Sequence, residues 1–291
     1  MTDSSPLAAS DRPLAHLPPA DLDEAYENRA HIAKGDSWLQ RWPKAAAAFR
    51  AGHPAASLDQ PYGHDPRQRF DLFCPEGGLG AAKGMVGIVH GGYWMALSKD
   101  AFSHLAAGPL ACGWAVAMIG YTLAPQVRIA EITAEIAAAT NAIAELGDGP
   151  LRLAGHSAGG HLVTRMMCAD VALSHRAAAR LDRVVSISGL HDLRPLRHLA
   201  HNETWQMDDA EAIAESPVLN TPRAGIELVC VAAAAERPEF IRQNALLPLA
   251  WQGLGVPAYS QLLADDHHFS VIDHLADKGG AISHLVDAPL R

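Results

Sequence analysis

At 291 residues, 49% of them hydrophobic and 19% charged, the chain is long enough for one large α/β domain or two smaller ones with a substantial core. A formal net charge of −9 argues against nucleic acid or an anionic membrane surface as partner. The opening residues carry acids and prolines where a signal peptide needs a basic end, and no apolar stretch could span a bilayer, so a cytoplasmic protein with no membrane contact is expected. Four cysteines, Cys74, Cys112, Cys168 and Cys230, stand far apart with no C-x-x-C pair, which fits reduced thiols rather than a disulfide framework.

In chain order, residues 1–20 are rich in Pro, Ser and Ala and read as a loose segment. Residues 21–291 read as a single domain, of which 21–55 form a helical extension placed to act as a partial lid. Within it "DLDEAYENRAHI" and "DSWLQRWPKAAAAFR" each open on an Asp suited to capping a helix. Strands are predicted at "RFDLFC" (69–74), "GMVGIVH" (84–90), "WAVAMIG" (114–120) and "PLRLAG" (150–155). Three more follow at "RVVSISG" (183–189), "IELVCVAA" (226–233) and "PAYSQLL" (257–263). Between them "RIAEITAEIAAATNAIAEL" repeats Ile129, Ile132, Ile136, Ile143 and Leu146 at helical spacing. Strands apolar on both faces that alternate with helices imply an α/β fold with a mostly parallel central sheet, covered on both sides.

"GHSAGG" matches G-x-S-x-G with Gly155, Ser157 and Gly159, and it follows a predicted strand and precedes a helix-like run. That is the setting of a nucleophile elbow, in which Ser157 projects from a strained turn and the N–H of Ala158 faces a developing oxyanion. Earlier, "HGGYW" closes a strand with Gly91 and Gly92, which let the backbone approach a substrate carbonyl. The N–H groups of Gly92 and Tyr93 are the candidates to complete the oxyanion hole, and Tyr93 and Trp94 are expected to line the substrate pocket. His90 is expected to brace the loop.

A serine nucleophile needs a base and an orienting acid, in the chain order Ser, acid, His. "ADDHHFSVIDHL" lies after the last strand and offers His267 and His268. Adjacent side chains diverge, so only one can reach Ser157, and His268 is favoured because Phe269 can anchor the loop. For the acid, Glu236 stands nearer the end of its strand than Glu239, and Asp192 is the fallback. His198 and His201, with Glu203, lack a third ligand cluster and read as a solvated helix face, so no metal and no cofactor is expected.

Taken together these motifs resemble the serine-hydrolase kynurenine formamidases (arylformamidases), in the hormone-sensitive-lipase-like branch of the α/β-hydrolases. The likeness runs from "LDEAYENRA" (Asp23, Tyr26, Arg29) through Tyr62–Gly63, "HGGYW" with Lys99, and "YTLAP" to "GHSAGG". It continues in "SGLHDLRPL", "ESP" at 215–217, "RPEF" with "RQ", and "HF" at 268–269. The family writes Asp-Ser-Pro-Glu-Phe at the acid, where this chain has Glu236-Arg237-Pro238-Glu239-Phe240. The resemblance implies metal-free hydrolysis of N-formyl-kynurenine to kynurenine and formate, with Ser157, Glu236 and His268 as triad and a small molecule as the only partner in the reaction. A carboxylesterase and a non-catalytic ligand sensor are the alternatives. Enzymes of this kind often pair through an edge strand or helix, so a homodimer is also expected, though no segment marks its surface.

Overall fold

The apolar runs at 84–90, 114–120, 150–155 and 226–233 become strands buried along their length, that at 183–189 nearly so, while those at 69–74 and 257–263 become partly buried strands, and all assemble into one sheet. The computed structural model describes residues 19–290. In chain order the chain forms α1 (Pro19–Tyr26), α2 (Gly35–Ala51), β1 (Ser57–Pro61), β2 (Arg69–Phe73) and β3 (Met85–Val89). There follow α3 (Ala107–Ala111), β4 (Ala115–Ile119), α4 (Ile129–Ala144), β5 (Leu151–His156) and α5 (Ala158–Arg165). The next elements are α6 (His175–Arg180), β6 (Leu181–Ile187), α7 (Asn202–Trp205) and α8 (Asp209–Ala214). Last come β7 (Glu227–Ala233), α9 (Pro238–Gln252), β8 (Ala258–Leu263) and α10 (Ala281–Asp287).

The eight-stranded sheet runs β1-β2-β4-β3-β5-β6-β7-β8. β1 and β2 pair antiparallel with their neighbours, and every pairing from β4 to β8 is parallel. Alternate residues of a strand face opposite sides. Met85, Val89, Leu151 and Leu153 accordingly join one apolar layer, while Val86, Ile88 and Ala154 join the other. α4 presents Ile129, Ile132, Ile136 and Ile143, all fully buried, to the first layer. This is the α/β fold with a mostly parallel sheet that the periodicity implied.

Two local expectations are corrected. Asp21 and Asp36 do not cap helices: each lies within the first turn, and α2 is preceded by Lys34 in the left-handed region. In the first turn their charges favour the positive end of the helix dipole instead. The extension is also broken, with a 3-10 turn at Arg29–His31 between α1 and α2. β1 was not foreseen because it is an exposed edge strand without apolar alternation, kinked where Asp59 takes φ 53°. Buried Lys99 ties it down, its ammonium reaching Asp59 at 2.8 Å and Asp71 at 2.7 Å.

The loose segment expected at the start lies outside the described residues, except for Pro19 and Ala20, which belong to α1. Among the described residues no helix is long and apolar enough to cross a membrane, and all four cysteines are free.

Candidate active site

β5 ends at His156 and α5 begins at Ala158, so Ser157 alone turns the chain from strand to helix. It does so at φ 56°, ψ −117°, a region L-residues rarely adopt and one that costs on the order of 1–3 kcal/mol. Neighbours hold it there: its N–H donates to the Ile187 carbonyl at 2.8 Å, and its carbonyl accepts from His161 at 3.1 Å. The turn is too tight for a side chain at Gly155, where a Cβ would lie 2.1 Å from the Gly159 carbonyl oxygen.

The loop after β3 lies directly against this turn. A Cβ on Gly91 would sit 3.0 Å from the Ser157 Cβ and 2.9 Å from the His156 carbonyl oxygen. Gly92 adopts φ +115°, and its carbonyl accepts from both Met95 and Ala96 at 3.0 Å, closing a tight turn. Tyr93 and Trp94 continue at φ 50° and 57°. Among the described residues the N–H groups of Gly92, Tyr93 and Ala158 have no backbone acceptor. His90 stacks on Tyr121 at 4.4 Å, and the Tyr121 hydroxyl donates to the His90 carbonyl at 3.1 Å. Burial pushes the His90 imidazole down to about 4, so this brace is neutral near pH 7.

Ser157, His268, Gly92 and Tyr93 all line one cleft of about 260 Å³. At its floor His268 Nδ1–H donates to Glu236 Oε2 at 2.6 Å. The other carboxylate oxygen accepts from the Ala233 N–H at 2.9 Å and from the Ser188 hydroxyl. With Nδ1 as donor, Nε2 of the neutral ring is an acceptor. His268 is 4% exposed, with its ring edge-on to Phe240 at 4.7 Å. His156 donates from Nε2 to the His268 carbonyl at 2.8 Å, and burial holds the His156 ring well below its usual range, hence neutral.

The alternatives are placed elsewhere. His267 Nδ1 accepts from the N–H groups of Phe269 and Ser270, both at 3.1 Å, and so braces the turn. Glu239 accepts from the Tyr26 hydroxyl and from Arg242, each at 2.9 Å. Asp192 is taken by Arg194 through two bonds of 2.8 Å.

The expected place of Trp94 in the pocket is corrected. The residue is fully buried, absent from the cleft lining, and donates from its indole to His161 Nδ1 at 3.2 Å. Its ring packs edge-on against Trp205 at 5.5 Å and Tyr93 at 6.4 Å. Tyr93 does line the cleft, its hydroxyl donating to the Tyr26 carbonyl at 2.6 Å. His201 is not part of a solvated face; it lines the cleft and stacks on Tyr93 at 5.2 Å. Residues that the sequence did not single out include Ser188 and the cleft-lining Glu27, Asn28 and Trp42. A serine at a strand end and an Asn between helices carry no distinctive pattern, so nothing local could have marked them.

A family model described as the alpha/beta hydrolase fold matches residues 86–256. Kynurenine formamidase of Danio rerio is 26% identical over 267 residues, covering 89% of this chain and 87% of that protein. The Drosophila melanogaster kynurenine formamidase is 26% identical over 233 residues, 76% of this chain and 77% of its own. Among solved structures, a candidate thioesterase from Silicibacter sp. tm1040 superposes with a TM-score of 0.87 at 45% identity, over 92% of this chain and 99% of that one. Esterase B of Lactobacillus rhamnosis, at TM-score 0.65 and 18% identity over 91% and 92%, shares the fold. With a matching family model over more than half its length, the chain belongs to the α/β-hydrolase family; it is a hydrolase, similar over most of its length to kynurenine formamidases.

Proposed function

We propose that the protein is a serine hydrolase of aryl formamides, converting N-formyl-kynurenine to kynurenine and formate. The observation that carries this reading is the convergence of Ser157 and the Glu236-paired His268 on one cleft beside three backbone N–H groups with no backbone acceptor among the described residues. The cleft volume lies near the lower end for small-molecule sites, which suits a compact substrate better than a long acyl chain.

In this mechanism Ser157 Oγ attacks the formyl carbon while His268 Nε2 takes its proton. The oxyanion rests on the N–H groups of Gly92, Tyr93 and Ala158, each such donor being worth about 3–4 kcal/mol in the transition state. Glu236 keeps Nδ1 protonated and stabilises the imidazolium. His268 then gives its proton to the aryl nitrogen, the C–N bond breaks, and the aryl amine leaves a formyl ester on Ser157. Water, deprotonated by His268, attacks that ester; formate leaves and Ser157 regains its proton. The four free thiols fit a reducing, cytoplasmic setting.

A second reading, ester or thioester hydrolysis by the same groups, is favoured by the 45% identity to a candidate thioesterase. The test compares kcat/KM for N-formyl-kynurenine, p-nitrophenyl acetate and S-phenyl thioacetate on one preparation. A preference for the formamide of about a hundredfold, or 2.7 kcal/mol, supports the formamidase. Equal or reversed values overturn it in favour of the second reading.

A further inference from the structure

Most of the cleft wall is apolar or aromatic, but the segment where the helical extension breaks is not. Glu27, Asn28 and Arg29 lie between α1 and α2, and all three line the cleft. Asn28 is 6% exposed, and its amide nitrogen is buried without a hydrogen-bond partner among the described residues. The indole nitrogen of Trp42, a residue 2% exposed and in the same wall, is also without one. Buried donors are nearly always paired, so two cleft residues whose nitrogens lack a partner among the described residues leave room for an acceptor supplied by a ligand.

The charges point the same way. Arg29 is the sole Lys or Arg among the described residues lining the cleft. Its contact with Asp36 is long, 3.7 Å, and made to a carboxylate whose side chain is 88% exposed, so the guanidinium is free to turn to a ligand. Glu27, two residues earlier, gives one oxygen to the Ala30 N–H at 3.1 Å and forms no ion pair among the described residues. One cation, one anion and two neutral donors on a single stretch of wall match a molecule that carries both a carboxylate and an ammonium.

We infer that residues 27–29, with Trp42, bind the amino-acid end of the substrate. Arg29 pairs with the carboxylate, Asn28 and Trp42 donate to acceptor oxygens of the same molecule, and Glu27 receives the ammonium. The inference rests on the formamidase reading for the identity of that molecule, but its test does not require turnover. The probes are L-kynurenine and 2-aminoacetophenone, which shares the aryl ketone and lacks the amino-acid end. Both are titrated calorimetrically into the wild-type protein, Arg29→Gln and Arg29→Lys.

The wild type is expected to bind L-kynurenine at least tenfold more tightly than the ketone. Arg29→Gln should shrink that ratio about tenfold, and Arg29→Lys, which restores the charge, should recover part of it. A wild type that does not discriminate, or a ratio unchanged in Arg29→Gln, overturns the subsite. Tight, Arg29-dependent binding of L-kynurenine by a protein that does not hydrolyse N-formyl-kynurenine supports the subsite and overturns only the proposed reaction.

Discussion

On the floor of the cleft Ser157, His268 and Glu236 are each held by neighbours, whereas the wall made by residues 27–42 contains buried donors with no partner among the described residues. Ser157 is pinned through its backbone to Ile187 and His161, His268 by Glu236 and His156, and Glu236 by Ala233 and Ser188. Asn28 and Trp42 leave nitrogens unpaired among the described residues. The floor grows from the ends of the parallel strands β5, β7 and β8, and the wall from an interrupted helical extension that packs against α9 and the 3-10 turns at 99–106. Such a division suits a site whose chemistry must be preorganised and whose recognition is completed by the ligand.

If the floor carries the reaction, damage there should appear in kcat far more than in KM. Ser157→Ala is expected to lower kcat on the order of 10⁵- to 10⁶-fold with the fold intact, measured by steady-state kinetics beside a thermal melt. Retained turnover would end the serine mechanism. Glu236→Gln keeps the shape but loses the charge that orients His268, and should cost about 10³- to 10⁴-fold in kcat. A loss under tenfold would mean that the acid stands elsewhere.

Gly91→Ala probes the contact between the loop and the elbow. The new methyl must push on the His156 carbonyl and the Ser157 Cβ, so kcat should fall about a hundredfold through misplacement of the nucleophile. An unchanged kcat would show that the two segments yield to each other, contrary to the rigid floor described above.

Four buried histidines set a pH window. Burial pushes His90 and His191 down to about 4 and His161 to about 3, and lowers His156 as well. Unfolded, each titrates near 6.5, so between there and about 4 the unfolded chain binds more protons than the fold. Stability from these groups is therefore fully present above about pH 6.5 and is lost as the pH falls toward 4. Urea midpoints should be level between about pH 7.5 and 8.5 and drop steadily below 6.5; a level profile down to pH 5 would contradict the neutral, buried assignment.

The smallest effect is expected from Trp94→Phe. Trp94 donates to His161 Nδ1, which fixes the tautomer whose Nε2–H donates to the Glu215 carbonyl at 2.7 Å. Loss of that bond should cost about 1–2 kcal/mol in chemical denaturation, with KM shifted less than about twofold. A large rise in KM would return Trp94 to the pocket.

Much of the architecture was legible because its causes are local. The strand runs show themselves through continuous apolar stretches, and the elbow through glycines that the turn geometry demands within six residues, "GHSAGG". β1 was illegible because an exposed edge strand needs no apolar pattern.

Other features depend on distance across the fold. Glu236 and His268 stand 32 residues apart, and only the pairing of β7 with β8 brings their loops together. The sequence names a few acids and two adjacent histidines, while packing decides which of them meet. The burial of Trp94 rests on its packing against His161 and Trp205, which lie far along the chain. The nitrogens of Asn28 and Trp42 are buried by tertiary packing that supplies no acceptor among the described residues. Local patterns determine what is written within a turn or a strand of chain; contacts and desolvation between distant segments are settled by the tertiary structure, since neither has any energy until the segments meet.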